Sequence, residues 1–280
     1  MRTWFITGVS TGFGRAIATA ALAAGDAVAG SVRRAQDQAA FEALAPGRAH
    51  GILLDVTQDD AIHPAVQRIE REIGPIDILV NNAGYGHEGL VEESTMEELR
   101  RQFDVNVFGA VAVIKAVLPP MRERRRGRIL NITSMGGMMT LPGLAYYHGS
   151  KFALEGISES LGKEVKHLGI HVTAVEPGSF RTDWAGRSMV RSPRSIPDYD
   201  TLMDPIRARR EAVSGHQAGD PALLAAAIMA LVAAQEPPAH LLLGSDALRF
   251  VSEKLADLQA EFSAWRSVTE STDFPAPSDK

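Results

Sequence analysis

Short apolar runs alternate with longer segments of helical periodicity through the first 80 residues of the chain. Four of the runs predict β-strands, at residues 3–7, 27–32, 51–54 and 76–80. The segments between them repeat their apolar positions every three or four residues and predict helices at residues 12–24, 36–44 and 61–73. This alternation is typical of a parallel sheet whose two faces are covered by helices.

The alternation continues to about residue 245. It predicts a single α/β domain, a doubly wound parallel sheet (Rossmann fold) with helices on both faces and ligands at the carboxyl ends of its strands. Further helices are predicted at residues 96–117, 147–168 and 222–233, and further strands at 129–133, 170–175 and 240–243. A C-terminal extension over residues 246–280 is predicted to contain a helix at 247–265 and a frayed tail at 272–280.

Residues 186–219 interrupt this pattern. Pro193, Pro197 and Pro205 stand there among mixed polar residues, without a helical or strand period. We therefore predict a long loop with little regular structure. Because long loops in compact domains often bind ligands, residues 183–219 are assigned as a substrate loop.

Composition narrows the class of protein. A chain of 280 residues with 45% hydrophobic content can bury one full core, and the absence of cysteine excludes disulfides and thiolate metal sites. The formal net charge of -5 argues against nucleic acid or an anionic membrane as a partner. The arginine-rich run at residues 122–128 is interpreted as a solvated face at a helix's negative end.

No targeting segment is predicted. The N-terminus becomes glycine-rich too early for the hydrophobic region of a signal peptide. No uninterrupted apolar span approaches the roughly 18–20 residues of a membrane helix, and the most apolar segment, residues 221–234, is too short. We therefore expect a cytoplasmic protein with no membrane partner.

Tyr147 and Lys151 are the candidate acid/base pair, because residues four apart on a helix leave the same face. A phenol ordinarily has a pKa of about 10. A cation at about 4 Å supplies the roughly 4 kcal/mol that lowers this pKa to near 7. Ser134 follows a predicted strand, and Asn106 is an amide among apolar neighbours. His148, beside the tyrosine, is interpreted as a bystander.

A glycine-rich turn follows the first predicted strand and opens the first predicted helix. Its glycines let the backbone approach a bound group closely, and the helix offers N–H groups and a positive dipole end to a pyrophosphate. We therefore predict a phosphate-binding turn. Its residues are Gly8, Ser10, Thr11, Gly12, Phe13 and Gly14.

The order of these motifs resembles that of the short-chain dehydrogenase/reductase family over residues 3–244. The chain carries TGxxxGxG at residues 7–14, Asn-Asn-Ala-Gly at 81–84 and Tyr-x-x-x-Lys at 147–151. The resemblance implies that Asn106, Ser134, Tyr147 and Lys151 form a catalytic tetrad. It also implies cofactor contacts from Asp55, Val56, Asn82, Ala83, Gly84, Tyr147, Lys151, Pro177, Gly178, Phe180 and Thr182.

The resemblance further implies hydride transfer between a nicotinamide cofactor and a carbonyl or alcohol, with no metal ion. Tyr147 would give a proton to the carbonyl oxygen, and Ser134 would hydrogen-bond that oxygen. Lys151 would lower the pKa of Tyr147 and hold the nicotinamide ribose, while Asn106 would support a water in a proton relay. Relatives commonly pair through the helices that hold Asn106 and Tyr147, which implies a homodimer or homotetramer.

The end of the second strand favours NADP(H) over NAD(H). Relatives that prefer NAD carry an acidic residue where this chain has Val32, and a guanidinium follows at Arg33. Arg33 can bind a 2′-phosphate through two hydrogen bonds, with Ser31 or Arg34 as candidate helpers.

Apolar residues near the tetrad favour a lipophilic ketone, aldehyde or alcohol as substrate. They are Met135, Met138, Met139, Leu141, Leu144, Phe180, Trp184 and Met189. Two alternatives stay open. One is a β-ketoacyl-thioester reductase, whose acidic carrier the basic residues at 124–128 would suit. The other is a protein that binds NADP without catalysis, although the presence of both Tyr147 and Lys151 favours an enzyme.

Overall fold

The computed structural model describes residues 1–184, 186 and 188–274. Within them, nine strands form two sheets. The strands are β1 Thr3–Ile6, β2 Ala27–Val32, β3 Ala49–Leu53, β4 Ile76–Asn81, β5 Gly86–Glu88, β6 Gly127–Ile132, β7 Ile170–Pro177, β8 Met189–Arg191 and β9 His240–Leu243. The helices are α1 Gly12–Ala23, α2 Ala35–Glu42, α3 Asp59–Glu72, α4 Met96–Phe103, α5 Gly109–Arg124, α6 Ala145–Val165, α7 Asp200–Val213, α8 Pro221–Ala233, α9 Ser245–Ala264 and α10 Arg266–Glu270.

The main sheet has seven parallel strands in the order β3-β2-β1-β4-β6-β7-β9. The chain winds outward from β1 to β3, returns to the middle at β4, and then winds outward the other way. This confirms the predicted doubly wound α/β fold. The order reverses between β1 and β4, and ligands bind in such sheets at the carboxyl ends beside this reversal.

Successive side chains of β1 fill two separate cores. Trp4 and Ile6 pack with the side of the sheet that α1 and α8 cover, whereas Phe5 packs with the side that α3 and α5 cover. All three side chains are fully buried. Because both faces are covered, the strand is apolar throughout instead of alternating with polar residues.

The prediction of an irregular loop at residues 186–219 is wrong. The segment contains β8, which pairs with β5 in a two-stranded sheet, and the 14-residue helix α7. Its order depends on distant contacts: the carboxylate of Glu88 on β5 accepts hydrogen bonds from Arg207 and Arg210 of α7, both at 2.8 Å. Ion pairs between residues about 120 apart leave no trace in local periodicity. Ala185 and Arg187, inside the assigned substrate loop of 183–219, lie outside the described residues.

One continuous helical stretch in the described part of the chain, Met96–Arg124, is long and apolar enough to cross a membrane by length and composition alone. It comprises α4, a π-helical turn and α5, and polar residues such as Asn106 and Lys115 interrupt its apolar run. In its apolar window, 44% of the residues are buried inside the fold, and core helices of soluble proteins meet the same criterion. Val113 and Val117 lie fully buried in the core on this side of the sheet.

The arginine-rich run at residues 122–128, which begins in the last turn of α5, is partly solvated, as predicted, and partly paired. Arg122 and Arg125 are exposed. Arg124 donates to Glu70 and Arg126 donates to Asp77, each at 2.7 Å. At the C-terminus, the predicted helix at 247–265 corresponds to α9. Residues 275–280 of the predicted frayed tail lie outside the described residues.

Candidate active site

The glycine-rich turn between β1 and α1 forms a cradle at the reversal of strand order. Gly8 and Gly12 have φ angles of +73° and +59°, a backbone region that favours glycine. A Cβ atom on Gly14 would lie 2.3 Å from the carbonyl oxygen of Gly8, so the turn closes only around a glycine. Thr11, the N-cap of α1, makes no side-chain capping bond, which leaves the first N–H groups of the helix open to an anion. The cradle fits a pyrophosphate.

Asn82, after β4, fixes this cradle in place. Its Nδ2 donates to the carbonyl oxygens of Thr7 and Gly8, both at 2.9 Å. The hydroxyl of Thr7 in turn accepts from the backbone N–H groups of Asn82 and Ala83 at 2.9 Å. Gly84 follows against the side-chain oxygen of Asn106, to which a Cβ atom on this glycine would approach within 3.1 Å.

The three residues predicted to bind the 2′-phosphate of NADP(H) have different surroundings. Ser31 is buried, and its hydroxyl accepts from the N–H of Gly8 at 3.0 Å. Arg34 forms an ion pair with Asp37 at 2.7 Å. Arg33 is exposed and has no hydrogen bond or ion pair within the part of the chain that the structure describes. Of the two arginines, Arg33 is therefore the one whose guanidinium is unpaired among the described residues.

Two further predicted cofactor residues follow β3. Asp55 is half-buried, and its carboxylate accepts from the N–H and hydroxyl of Thr57 at 3.0 and 2.8 Å. Val56 is buried, and a Cβ atom on Gly109 would lie 2.8 Å from it. Both residues stand at the carboxyl edge of the sheet, on the same side as Asn82.

The segment after β7 closes over the cradle. The N–H of Gly178, next to Pro177, donates to Leu243 at 2.8 Å, and a Cβ atom on this glycine would lie 2.2 Å from a carboxylate oxygen of Asp246. Thr182 then reaches the cradle, where its Cβ lies 4.0 Å from the position of a Cβ on Gly12. The segment after β7 and the glycine-rich turn after β1 therefore lie next to each other.

Ser134, Tyr147 and Lys151 converge at the carboxyl end of β6. Tyr147 and Lys151 lie in the first two turns of α6, and both are buried. The ammonium of Lys151 donates to the carbonyl oxygen of Ile132 at 2.8 Å and lies 5.8 Å from the centre of the Tyr147 ring. Ser134 follows β6, and its hydroxyl accepts from Gly136 at 2.9 Å.

Burial controls the pKa values of this pair. It raises the pKa of Tyr147 to about 12, against the hydrogen bond with Ser134 that favours the ionised form. It lowers the pKa of Lys151 to about 8, against the charge of Glu155 that favours the ammonium. The expected fall of the Tyr147 pKa to near 7 is therefore wrong for the chain by itself. Desolvation dominates, and the Lys151 ammonium is bound to Ile132 instead of the phenol.

Asn106 lies in a π-helical turn, Asp104–Phe108, between α4 and α5. Its Nδ2 donates to the carbonyl oxygen of Tyr85 at 3.1 Å and to the Ser150 hydroxyl at 3.2 Å, and its Oδ1 accepts from the N–H of Tyr85 at 3.1 Å. The amide thus joins the segment after β4 to α6, one residue before Lys151. The water-mediated role that the family resemblance implies for Asn106 stays a prediction.

His148 has a structural contact that its position in the sequence does not reveal. Its Nε2 accepts from the N–H of Leu141 at 2.9 Å, so its Nδ1 carries the proton and donates to the carbonyl oxygen of Gly136 at 2.7 Å. The buried ring therefore ties the loop after Ser134 to the segment that leads into α6. Its position next to Tyr147 was the only signal, because the partners of a histidine cannot be read from spacing.

Three of the predicted apolar residues gather at Tyr147. Leu144 and Met189 are buried with the tyrosine, and the Trp184 ring packs against it with ring centres 5.1 Å apart. The prediction that Phe180 lines the same apolar cluster is wrong. It packs in the core on the face of the sheet that α1 and α8 cover, with its ring centre 5.3 Å from that of Phe13.

A cavity of about 690 Å³ is lined in part by residues 140–143, which precede α6. Leu141, Ala145, His148 and Phe152 are among its lining residues, whereas Tyr147 and Lys151 are not. Tyr147 therefore belongs to the Leu144–Trp184–Met189 cluster, and the cavity lies beside the candidate reaction centre.

Known proteins resemble the chain over most of its length. Residues 2–190 match the family model described as short chain dehydrogenase. A 3-ketodihydrosphingosine reductase of Bacteroides thetaiotaomicron is 38% identical and covers 83% of this chain and 84% of its own. An NADPH-dependent 3-dehydrocapnine reductase of Ornithobacterium rhinotracheale is 35% identical over 72% of this chain and 74% of its own.

A solved structure agrees with the fold. A short-chain dehydrogenase from Streptomyces avermitilis superimposes with a TM-score of 0.91 at 41% sequence identity. The match covers 97% of this chain and 98% of that one, so the C-terminal helices are included. The likeness therefore extends beyond the residues that the family model matches.

Proposed function

This chain belongs to the short chain dehydrogenase family and is an oxidoreductase that uses a nicotinamide cofactor, and on this premise we propose that it reduces a lipophilic ketone or aldehyde with NADPH. The observation that carries the proposal is the meeting of Ser134, Tyr147 and Lys151 beside the glycine cradle. The reverse reaction, oxidation of the alcohol, uses the same groups. We propose a cytoplasmic site of action.

Arg33 supports the choice of NADP(H). Its guanidinium is exposed at the end of β2, without an acidic residue at the preceding position, Val32. A planar guanidinium binds phosphate through two parallel hydrogen bonds. The relative from Ornithobacterium, which is named as NADPH-dependent, also supports the choice.

The protonation states suit reduction. When bound, the nicotinamide supplies the hydride. Because burial raises the pKa of Tyr147 to about 12, its phenol holds a proton at neutral pH and can give it to the substrate oxygen. The Ser134 hydroxyl can donate a hydrogen bond to the same oxygen as negative charge develops there. Lys151, with a pKa of about 8, is mainly an ammonium at neutral pH and favours the phenolate that remains.

The substrate side supports an apolar compound. Leu144, Trp184 and Met189 surround Tyr147 with hydrophobic surface. The Bacteroides relative is named as a reductase of a ketone, 3-ketodihydrosphingosine. A lipophilic ketone would therefore place its carbonyl at Tyr147 and its hydrocarbon against these three side chains.

A homodimer or homotetramer is part of the proposal. Phe108 and Phe152 lie in the helices that hold Asn106 and Tyr147, and they are 58% and 43% exposed. Large exposed apolar side chains on neighbouring helices suit a contact between copies. Light scattering on the purified chain tests this, and a single monomeric species would contradict it.

Oxidation of NADPH, followed by absorbance, tests the activity against lipophilic ketones, aldehydes and β-ketoacyl thioesters. We expect turnover of a free ketone or aldehyde and slower turnover with NADH. A preference for carrier-linked thioesters would favour the β-ketoacyl-thioester reductase. Tight NADPH binding without turnover on any class would favour a binding protein without catalysis.

Tyr147→Phe tests the assignment of the acid. We expect loss of turnover by roughly 10²- to 10⁴-fold, because the proton donor is removed while the ring is retained. NADPH affinity, measured by fluorescence titration, should be nearly unchanged and serves as the control for folding. Turnover within a fewfold of the wild type would remove Tyr147 from this role.

A further inference from the structure

Three titratable side chains meet behind Lys151, on the side away from Tyr147. Glu155 lies one turn after Lys151 on α6, Glu176 lies next to the end of β7, and His240 opens β9. His240 Nδ1 lies 2.7 Å from Glu176 Oε1 and 3.5 Å from Glu155 Oε2. One carboxylate oxygen of each glutamate and one ring nitrogen of His240 lie within 4.8 Å of one another.

The two carboxyl groups are almost completely buried. Glu155 and Glu176 are 6% and 1% exposed, and neither carboxylate oxygen of Glu155 makes a hydrogen bond of normal geometry among the described residues. The nearby Thr133 hydroxyl favours the ionised form of Glu155, but it already donates to the carbonyl oxygen of Val175. Ionised carboxylates only accept hydrogen bonds, so two of them cannot satisfy each other. A single proton supplies the missing donor and removes one buried charge.

His240 connects this pair to solvent. Its side chain is 37% exposed. Although desolvation opposes the change, the hydrogen bond with Glu176 raises the pKa of His240. Burial raises the pKa of Glu155 to about 7 and also raises that of Glu176. Besides these three and Lys151, the one further charged group that faces the cluster among the described residues is Glu159, exposed one turn further along α6.

The same cluster contacts the machinery of the site. Glu155 favours the ammonium form of Lys151 through its charge. It also packs on the loop that follows Ser134, since a Cβ atom on Gly137 would lie 2.8 Å from its Cγ and 3.1 Å from its Oε1. Glu176 directly precedes Pro177, where the segment over the cradle begins. A change of charge on Glu155 therefore acts on the protonation of Lys151.

Resting on the proposed function, we propose that Glu155 and Glu176 share one proton, that His240 is their contact with solvent, and that the charge of this pair keeps Lys151 protonated during turnover. Glu155 is thus a positioning residue that acts through Lys151. As the pH rises and the pair loses its proton, its added negative charge opposes loss of the proton from Lys151. Without Glu155, Lys151 becomes neutral at lower pH.

The pH profile of carbonyl reduction tests this role in Glu155→Gln. We expect the alkaline fall in kcat to move to lower pH by on the order of one pH unit, since one nearby negative charge is lost. Glu159→Gln is the matched control, because it makes the same chemical change one turn away on the exposed face. A profile of Glu155→Gln that coincides with those of Glu159→Gln and the wild type would overturn the proposal.

Infrared spectroscopy tests the shared proton without turnover. At neutral pH the wild type should show the carbonyl stretch of a protonated, buried carboxyl group, and Glu155→Gln should lack it. Glu176→Gln replaces Glu155→Gln in both measurements if the latter gives no folded protein by circular dichroism. Absence of the band in the wild type would overturn the shared proton, even where turnover supports the proposed function. A panel without any turnover would instead contradict the proposed function alone.

Metal titration separates a proton from a cation, because two carboxylates and an imidazole could also bind a divalent ion. With ZnCl₂ or MnCl₂ alone, calorimetry should show no stoichiometric binding that Glu155→Gln abolishes. Such binding at micromolar concentration, with loss of the carboxyl band, would make the cluster a metal site and overturn the shared-proton proposal.

Discussion

Burial acts in opposite directions on the two ionisable side chains of the candidate site. It makes the Tyr147 phenol a weaker acid and the Lys151 ammonium a stronger one, because in each case it disfavours the charged form. The pair therefore rests as a neutral phenol beside a cation with a pKa of about 8. Proton donation from Tyr147 leaves a phenolate that must be stabilised. The Ser134 hydroxyl and the Lys151 ammonium are the neighbouring groups that favour it.

Arg33→Ala tests cofactor choice at the level of one side chain. We expect the Kd for NADPH to rise by roughly 10- to 100-fold, as one charge-assisted pair of hydrogen bonds to phosphate is lost. The Kd for NADH should hardly change. Arg34→Ala is the control, since Arg34 is already paired with Asp37. Equal weakening for both cofactors would mean that the 2′-phosphate is bound elsewhere.

Helix α7 depends on distant charges for its position. The buried Glu88 pairs with Arg207 and Arg210 of α7 and, at 3.6 Å, with Arg191 of β8. Three cations thus meet one carboxylate under a segment that places Met189 against Tyr147. The contact couples the order of this segment to the apolar side of the candidate site.

Glu88→Gln tests this coupling. Removing one partner of a buried ion pair costs about 3 kcal/mol. Here it leaves Arg207 and Arg210 without the carboxylate that they share. We expect a lower Tm, faster proteolysis within residues 188–219, and a higher KM for the carbonyl substrate. Glu92→Gln is the control, because Glu92 is exposed and accepts from the Tyr199 hydroxyl. Similar proteolysis of the two variants would contradict the role of Glu88.

Prediction from sequence succeeded where the signal was local. The strands and helices of the sheet follow from periodicity, and the cradle follows from glycines such as Gly14 that no other residue can replace. It failed for α7, whose order comes from Glu88, and for Phe180, whose packing partner is 167 residues away at Phe13. The predicted fall of the Tyr147 pKa also failed, because desolvation raises this pKa and depends on which residues cover the side chain.

At the scale of the whole molecule, both halves of the sheet contribute residues to the candidate site. The cradle and Arg33 come from the strands on one side of the reversal, while Tyr147 and Lys151 come with the strands on the other. Asn82 hydrogen-bonds across this boundary. Unfolding of either half of the sheet therefore removes part of the site. We expect cofactor binding to be lost whichever half unfolds.

The buried Lys151 makes stability depend on pH. Its pKa is about 8 in the folded chain and ordinarily 10.5, so the unfolded chain binds more protons between these values and the free energy of unfolding rises with pH. The full difference corresponds to about 3 kcal/mol. Glu155, raised from 4.5 to about 7, has the opposite effect and lowers stability as the pH rises through that range.

Urea unfolding of the cofactor-free wild type and of Lys151→Met tests this linkage. Lys151→Met should be the more stable protein at about pH 7, and its advantage should shrink by about 2 kcal/mol by about pH 9.5. The wild type of the same preparation provides the control for all other titrating groups. An advantage that is independent of pH would show that Lys151 is not desolvated as described.

The packing of Trp184 against Tyr147 has a practical consequence for spectroscopy. The chain has three tryptophans, of which Trp4 is fully buried and Trp265 is 65% exposed. In a Trp265→Phe variant, the shielded Trp4 contributes a constant fluorescence, and any change in emission comes from the indole at the reaction centre. The protein thus carries an intrinsic optical probe, through which arrival and departure of ligands can be timed in a stopped-flow instrument without a label.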